Sequence, residues 1–122
     1  MVMIKHFTNL AVWQKVDVAA HQVFDLTETF PRRYLFDLTG QLRRAALSVP
    51  TNIVEGSATT HTKELLQFLN VATRLERETQ YLLLFSLRRE LMPTGQYESL
   101  TKTYEEIHWM LNGLARSLRR GG

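Results

Sequence analysis

Between Tyr97 and Leu118 the apolar side chains recur at alternating intervals of three and four residues, through Leu100, Tyr104, Ile107, Leu111 and Leu114. That spacing keeps them on one face of an α-helix and scatters them over both faces of a strand, so the segment must be a helix with a seam to bury. The same period governs the rest of the chain. Val12, Val16, Ala19, Val23, Leu26 and Phe30 line a first helix. Leu38, Leu42, Ala45, Val49 and Ile53 line a second, and Leu65, Phe68, Ala72, Leu75, Thr79 and Leu82 a third.

Punctuation is sparse, with three prolines and six glycines. Pro31 stops the first helix, Gly56 reads as the stop of the second, and Pro93 with Gly95 ends the third. Asn9 and Thr94 are candidate caps. The predicted helices span residues 9–30, 37–56, 62–91 and 96–119. Pro50 falls inside the second, where it removes a backbone donor; a kink is expected in preference to a break, because the stripe keeps its phase across it. Four such helices, each about 30 to 45 Å long, joined by short connections, specify an all-α, antiparallel up-down-up-down four-helix bundle.

At 122 residues the chain is expected to form a single domain over residues 1–122, with Met1 to Thr8 as an arm and Gly121 and Gly122 as a tail. The interval from Tyr81 to Phe85 is apolar all round, more than one seam needs, and the surplus is expected to meet a partner subunit. Cysteine is absent, which excludes disulfides, thiolate metal sites and a cysteine nucleophile, and fits a reducing, cytoplasmic location. The amino terminus lacks the apolar run of a secretory signal, and no stretch is apolar enough to span a membrane, so neither export nor membrane insertion is expected.

Catalytic chemistry finds little support. A di-metal bundle site needs a Glu-x-x-His pair on each of two helices, and the chain offers one, Glu105 with His108. Both lie off the Tyr104, Ile107, Leu111 seam and are expected to face water. His6, His21 and His61 share no ligand spacing and read as surface residues. Ser48 has no histidine within reach on its helix, and no phosphate-loop, dinucleotide or nucleophile-elbow glycine pattern occurs. No cofactor and no enzymatic activity are therefore expected. Trp13, Phe24, Tyr104 and Trp109 sit at helical spacing and read as core or interface residues before base-stacking ones.

One polar pattern stands out. Gln41, Arg44, Ser48, Asn52 and Glu55 are spaced three, four, four and three, forming a ridge about 100° from the apolar stripe of the second helix. Serine and asparagine are mediocre helix formers, so their place there suggests a hydrogen-bonded network at a bundle or subunit boundary, or a ligand strip, as alternatives to a plain solvated face. Arg43 joins the candidate strip as half of an arginine pair. Arginine supplies 11 of the 15 basic residues, often in pairs: Arg32 with Arg33, Arg43 with Arg44, Arg88 with Arg89, Arg119 with Arg120. Such pairs either balance the 12 acidic residues on solvated faces or gather, in an oligomer, into a phosphate-binding surface.

The run QLRRAALSVPTNIVEG, Gln41 to Gly56, closely resembles the signature of the 23S rRNA-intervening sequence protein family of four-helix bundles. NLAVWQKV at Asn9 to Val16 resembles that family's opening motif, TETFPRRY at Thr27 to Tyr34 its first connection, and KELLQFLNVA at Lys63 to Ala72 its third helix. Arg74 and Leu75 stand where relatives carry a Gly-Ser pair, and a usual Tyr-Gly pair is replaced near Phe36 and Asp37. The resemblance implies a left-handed bundle that assembles into a homo-oligomeric ring, with pentamers as precedent, and no established catalytic activity. Its implied partners are further copies of itself, and RNA, DNA or a nucleic-acid-associated protein.

Overall fold

The computed structural model describes residues 6–121. The first five residues of the expected arm, and Gly122 of the expected tail, lie outside them. Four helices account for most of the chain: α1 (Ala11–Thr27), α2 (Gly40–Ser57), α3 (Thr62–Arg88) and α4 (Thr94–Gly121). Each packs on the next, α1 also packs on α4, and the α2–α3 interface is the most extensive. No strand occurs among the described residues, and the architecture is an all-α four-helix bundle. In α3 and α4, Glu76 meets His108 while Gln80 meets Glu105, so moving up one helix moves down the other and the pair is antiparallel.

The apolar stripes of α1 and α2 are buried as their spacing requires: Val16, Ala19 and Val23 from α1, and Leu42, Ala45, Val49 and Ile53 from α2, retain at most 2% of their surface. On α4, Leu100, Tyr104, Ile107, Leu111 and Leu118 fill the opposite wall, with Tyr97 and Leu114 half-buried against them. No helix among the described residues is long and apolar enough to cross a membrane.

The helix ends differ from their sequence reading for local reasons. α1 stops at Thr27, because Phe30 precedes Pro31 and cannot hold helical backbone comfortably; the last turn closes through Thr29 N–H to Leu26 O and Phe30 N–H to Thr27 O. A 3₁₀ turn at Phe7–Asn9 leads into α1, so Asn9 ends that turn and Leu10 takes the cap position. The chain then passes through another 3₁₀ turn at Arg32–Tyr34 and one π-helical turn at Leu35–Thr39 before α2. α2 runs unbroken through Pro50, which is buried.

Gly56 was expected to terminate α2. It lies instead within the helix, buried where α3 comes closest: a Cβ there would stand 2.9 Å from Leu65 Cδ1 and 3.0 Å from Phe68 Cβ. It is a packing glycine and not a cap. α3 ends in a Schellman turn, with Leu91 N–H bonded to Ser86 O and Glu90 N–H to Leu87 O. The left-handed position of that turn, usually glycine, is Glu90 at φ 63°.

Candidate binding surface

The polar ridge of α2 faces the α3 side of the bundle. Gln41, Arg44 and Glu55 are exposed, Ser48 and Asn52 half-buried. Asn52 Nδ2 donates to Ser48 O at 2.8 Å on its own helix, so among the described residues the ridge makes no hydrogen-bonded network across a boundary between helices of the bundle. Arg43 turns to the opposite flank, toward α1. Its Nε donates to Thr27 Oγ1 at 2.7 Å, its Nη2 reaches Phe24 O and Glu28 Oε1, and the guanidinium lies over the Phe24 ring. The structure thus groups Gln41, Arg44, Ser48, Asn52 and Glu55 and separates Arg43 from them.

Beside the start of the ridge lies an open groove of about 420 Å³ between the π turn and the end of α3. Leu38, Leu82 and Phe85 form its apolar floor, and Gln41, Asp37, Tyr34 and Arg89 its edges. Tyr81 and Phe85, the surplus apolar residues of α3, remain 59% and 41% exposed with rings 6.3 Å apart. Phe36, on the π turn, is 94% exposed. Arg89 Nη2 donates to the Tyr34 hydroxyl at 3.1 Å, tying α3 to the turn, and Arg33 lies over the Tyr34 ring. The Arg89 hydrogen bond holds the Tyr34 phenol below its ordinary range.

Two unusual backbone features flank this groove. π-helical turns recur at functional sites, and a non-glycine residue in left-handed conformation is strain that the surrounding structure must hold. Here the first presents Leu35, Phe36 and Asp37 outward, and the second, Glu90, directly follows Arg88 and Arg89. Exposed aromatic rings rimmed by arginine are the composition of an interface core, and the groove is the chain's best candidate for one.

On the α3–α4 side the expectation for Glu105 and His108 is corrected in part. Glu105 is on the surface, paired with Arg77 Nη1 at 3.1 Å; its hydrogen bonds from Gln80 and Arg77 hold its carboxyl below the usual range. His108 turns inward. Its side chain is 18% exposed and its Nδ1 donates to Glu76 Oε1 at 2.8 Å. Glu76 is fully buried, its other oxygen taken by Gln80 Nε2. Burial pushes the Glu76 carboxyl above its ordinary range, against the opposing hydrogen bonds from Gln80 and His108. Tyr104 is buried on the facing seam, its hydroxyl without a partner among the described residues; burial, reinforced by the Glu76 charge, pushes its pKa up.

The expected α3 stripe through Phe68 and Leu75 leaves out Glu76. Those two are half-buried shoulders; the buried line is Leu65, Leu69, Ala72, Glu76, Thr79, Leu83 and Ser86. Its strict four-three stepping was the available signal, and it places a carboxylate at a core position. Among the described residues no three His, Asp or Glu side chains stand close enough to hold a metal ion. Of the remaining candidates, His6, His21 and His61 are exposed, Trp13 and Phe24 half-buried, and Trp109 is 66% exposed.

Residues 8–113 match the family model described as 23S rRNA-intervening sequence protein. The fold is similar to the crystal structure of a protein of unknown function from the S23 ribosomal protein family of Bacteroides thetaiotaomicron. The TM-score is 0.80 at 25% sequence identity, covering 86% of this chain and 98% of that one. No curated protein matches the sequence.

Proposed function

The chain belongs to the 23S rRNA-intervening sequence protein family, and from that premise we propose that it is a non-enzymatic bundle that self-associates into a ring and serves as a binding platform for nucleic acid or a nucleic-acid-associated protein. The observation that carries the reading is the groove at the α2–α3 edge. Tyr81 and Phe85 line it and stay partly in water beside Arg89 and Gln41, and Phe36 is exposed on the adjoining π turn, an apolar surplus that the filled core of one bundle does not take up. The ridge then supplies the half-buried Ser48 and Asn52 with partners from a neighbouring copy. Five copies is the number the family resemblance implies, and a reducing compartment such as the cytoplasm is the setting the cysteine-free sequence fits.

Repetition of Arg33, Arg44, Arg88 and Arg89 around such a ring multiplies a modest net charge of +3 per chain into a surface that attracts phosphate. The test is the solution mass by light scattering, read together with the 260 to 280 nm absorbance ratio and a salt titration of nucleic-acid binding. A ring-sized mass and binding that falls steeply with salt support the proposal. A stable monomer sinks the assembly, and absence of binding at low salt restricts the partners to proteins.

A further inference from the structure

A second cavity, of about 340 Å³, lies away from the groove, at the end of the bundle where α1 hands over to the π turn. We propose that it binds a phosphomonoester, with Arg43, Arg32 and Thr39 holding the phosphate.

The cavity is lined by groups of the right kind. Arg43 is held rigidly before any ligand arrives: Nε is fixed by the Thr27 hydroxyl, Nη2 by Phe24 O, and the guanidinium plane by the Phe24 ring. Neither bond uses Nη1, and a guanidinium whose position is already fixed loses little freedom on gripping an oxyanion. Arg32, exposed on the cavity rim, makes no ion pair among the described residues. Thr39 supplies the independent observation. It is 97% buried by its 3% exposure, lines the cavity, and its hydroxyl has no partner among the described residues. Thr27, Thr51, Thr73 and Thr79 each donate to the carbonyl four residues earlier, as helical threonines do. Thr39 closes the π turn and does not make that bond. The Thr39 oxygen is sealed from solvent in the unliganded chain; a buried hydroxyl without a partner is costly, and rotation of the side chain onto an oxyanion in the adjoining cavity would satisfy it.

One carboxylate also reaches the site. Glu28 Oε1 sits 3.3 Å from Arg43 Nη2, on a side chain 75% exposed. It occupies one of the positions that a phosphate oxygen would take, and, being tethered only at that point, it can swing away. The site without ligand is thus closed by an intramolecular substitute for its own ligand. The cavity is larger than a bare anion needs and within the range of small-molecule sites, and Leu35 and Pro31 give it an apolar wall. The phosphate is therefore carried on an organic group, which is either a free small molecule or the terminal nucleotide of a nucleic-acid strand.

The experiment titrates the full chain with inorganic phosphate, adenosine monophosphate and one oligonucleotide bearing either a 5′-phosphate or a 5′-hydroxyl, by calorimetry and thermal shift. The mononucleotide should bind more tightly than phosphate. A preference of at least tenfold for the phosphorylated over the hydroxyl oligonucleotide identifies the strand end as the source; equal binding of the two, with mononucleotide binding retained, identifies a free small molecule. Thr39→Val should raise the thermal midpoint of the unliganded protein, because it removes an unsatisfied hydroxyl at constant volume, and should weaken the mononucleotide at least tenfold. Arg32→Gln should weaken it similarly, and Glu28→Gln should tighten it several-fold. Failure of both phosphate and mononucleotide to bind, or a Thr39→Val variant that binds as the natural chain does, overturns the proposal. Salt-sensitive binding of the 5′-hydroxyl strand unaffected by Thr39→Val belongs to the ring surface, so the two proposals fail separately.

Discussion

The two flanks of α3 reverse the usual arrangement of a soluble helix. Toward α4 it buries a carboxylate, Glu76, and completes it with His108 and Gln80. Toward α2 and outward, it leaves Tyr81 and Phe85 in water. The first arrangement gives up transfer free energy for a polar contact that joins helices at one register. The second leaves hydrophobic free energy unclaimed in the isolated chain. Read together, they show that α3 has one flank finished within the monomer and one finished only in company.

The largest expected effect breaks the finished flank. His108→Ala leaves the Glu76 carboxylate buried without its imidazole, and should lower unfolding free energy in denaturant titrations by about 3 kcal/mol. The sign with pH follows from the raised Glu76 pKa. The carboxyl's contribution to stability is present in full below the pKa of the unfolded chain and is lost as pH rises through the folded value. Without His108 there is less to oppose burial, so the deficit of the variant should be smallest in acid and grow toward neutrality. Glu76→Leu, which restores an apolar core position, should cost far less than His108→Ala; an equal loss would show that the pair acts through packing alone.

On the open flank, the double substitution Tyr81→Ser and Phe85→Ser should cost the monomer about 1 to 2 kcal/mol, most of it from Phe85, whose ring is more than half buried on the groove floor. Association should weaken by about 2 kcal/mol, or roughly thirtyfold, as for loss of an interface hot spot. Light scattering across a concentration series separates the two quantities. A variant that loses stability and keeps its mass would transfer these rings to the monomer's own core.

Gly56→Ala probes the seam between the two flanks, where α2 presses on α3. The added methyl meets Phe68 Cβ at 3.0 Å, which cannot rotate away, and overpacking of this kind should cost about 1 to 2 kcal/mol in thermal or denaturant unfolding. The smallest change should be Glu90→Gly. Relief of the left-handed backbone, less the extra freedom of glycine in the unfolded chain, should stabilise by about 0.5 to 1 kcal/mol. If that variant also loosens the Arg89 to Tyr34 contact and weakens binding at the groove, the strained turn is a positioning element for the site.

The ridge shows how far residue spacing reads a surface. Gln41, Arg44, Ser48, Asn52 and Glu55 do share one side of α2, because helical geometry alone fixes their relative angles. Arg43 was grouped with them by adjacency, yet one residue is a turn of 100°, and it belongs to the α1 flank. The same limit explains His108. Its distance from the α4 seam was read correctly, and whether it met water or a neighbouring helix depended on what α3 placed opposite it.

By itself the sequence determined four helices and the buried lines of α1, α2 and α4, because a period of 3.6 residues is a local property that each segment carries without knowledge of the others; for α3 it gave the helix and not the buried line. It also marked the Tyr81 to Phe85 surplus, since a segment apolar all round cannot be satisfied by one seam. Tertiary structure decided which polar groups meet: Glu76 with His108 across 32 residues, Arg43 with Thr27 across 16, and Thr39 with no partner among the described residues. Those outcomes depend on the rotation and register of one helix against another, which the packing of whole faces sets and no single stretch of chain encodes.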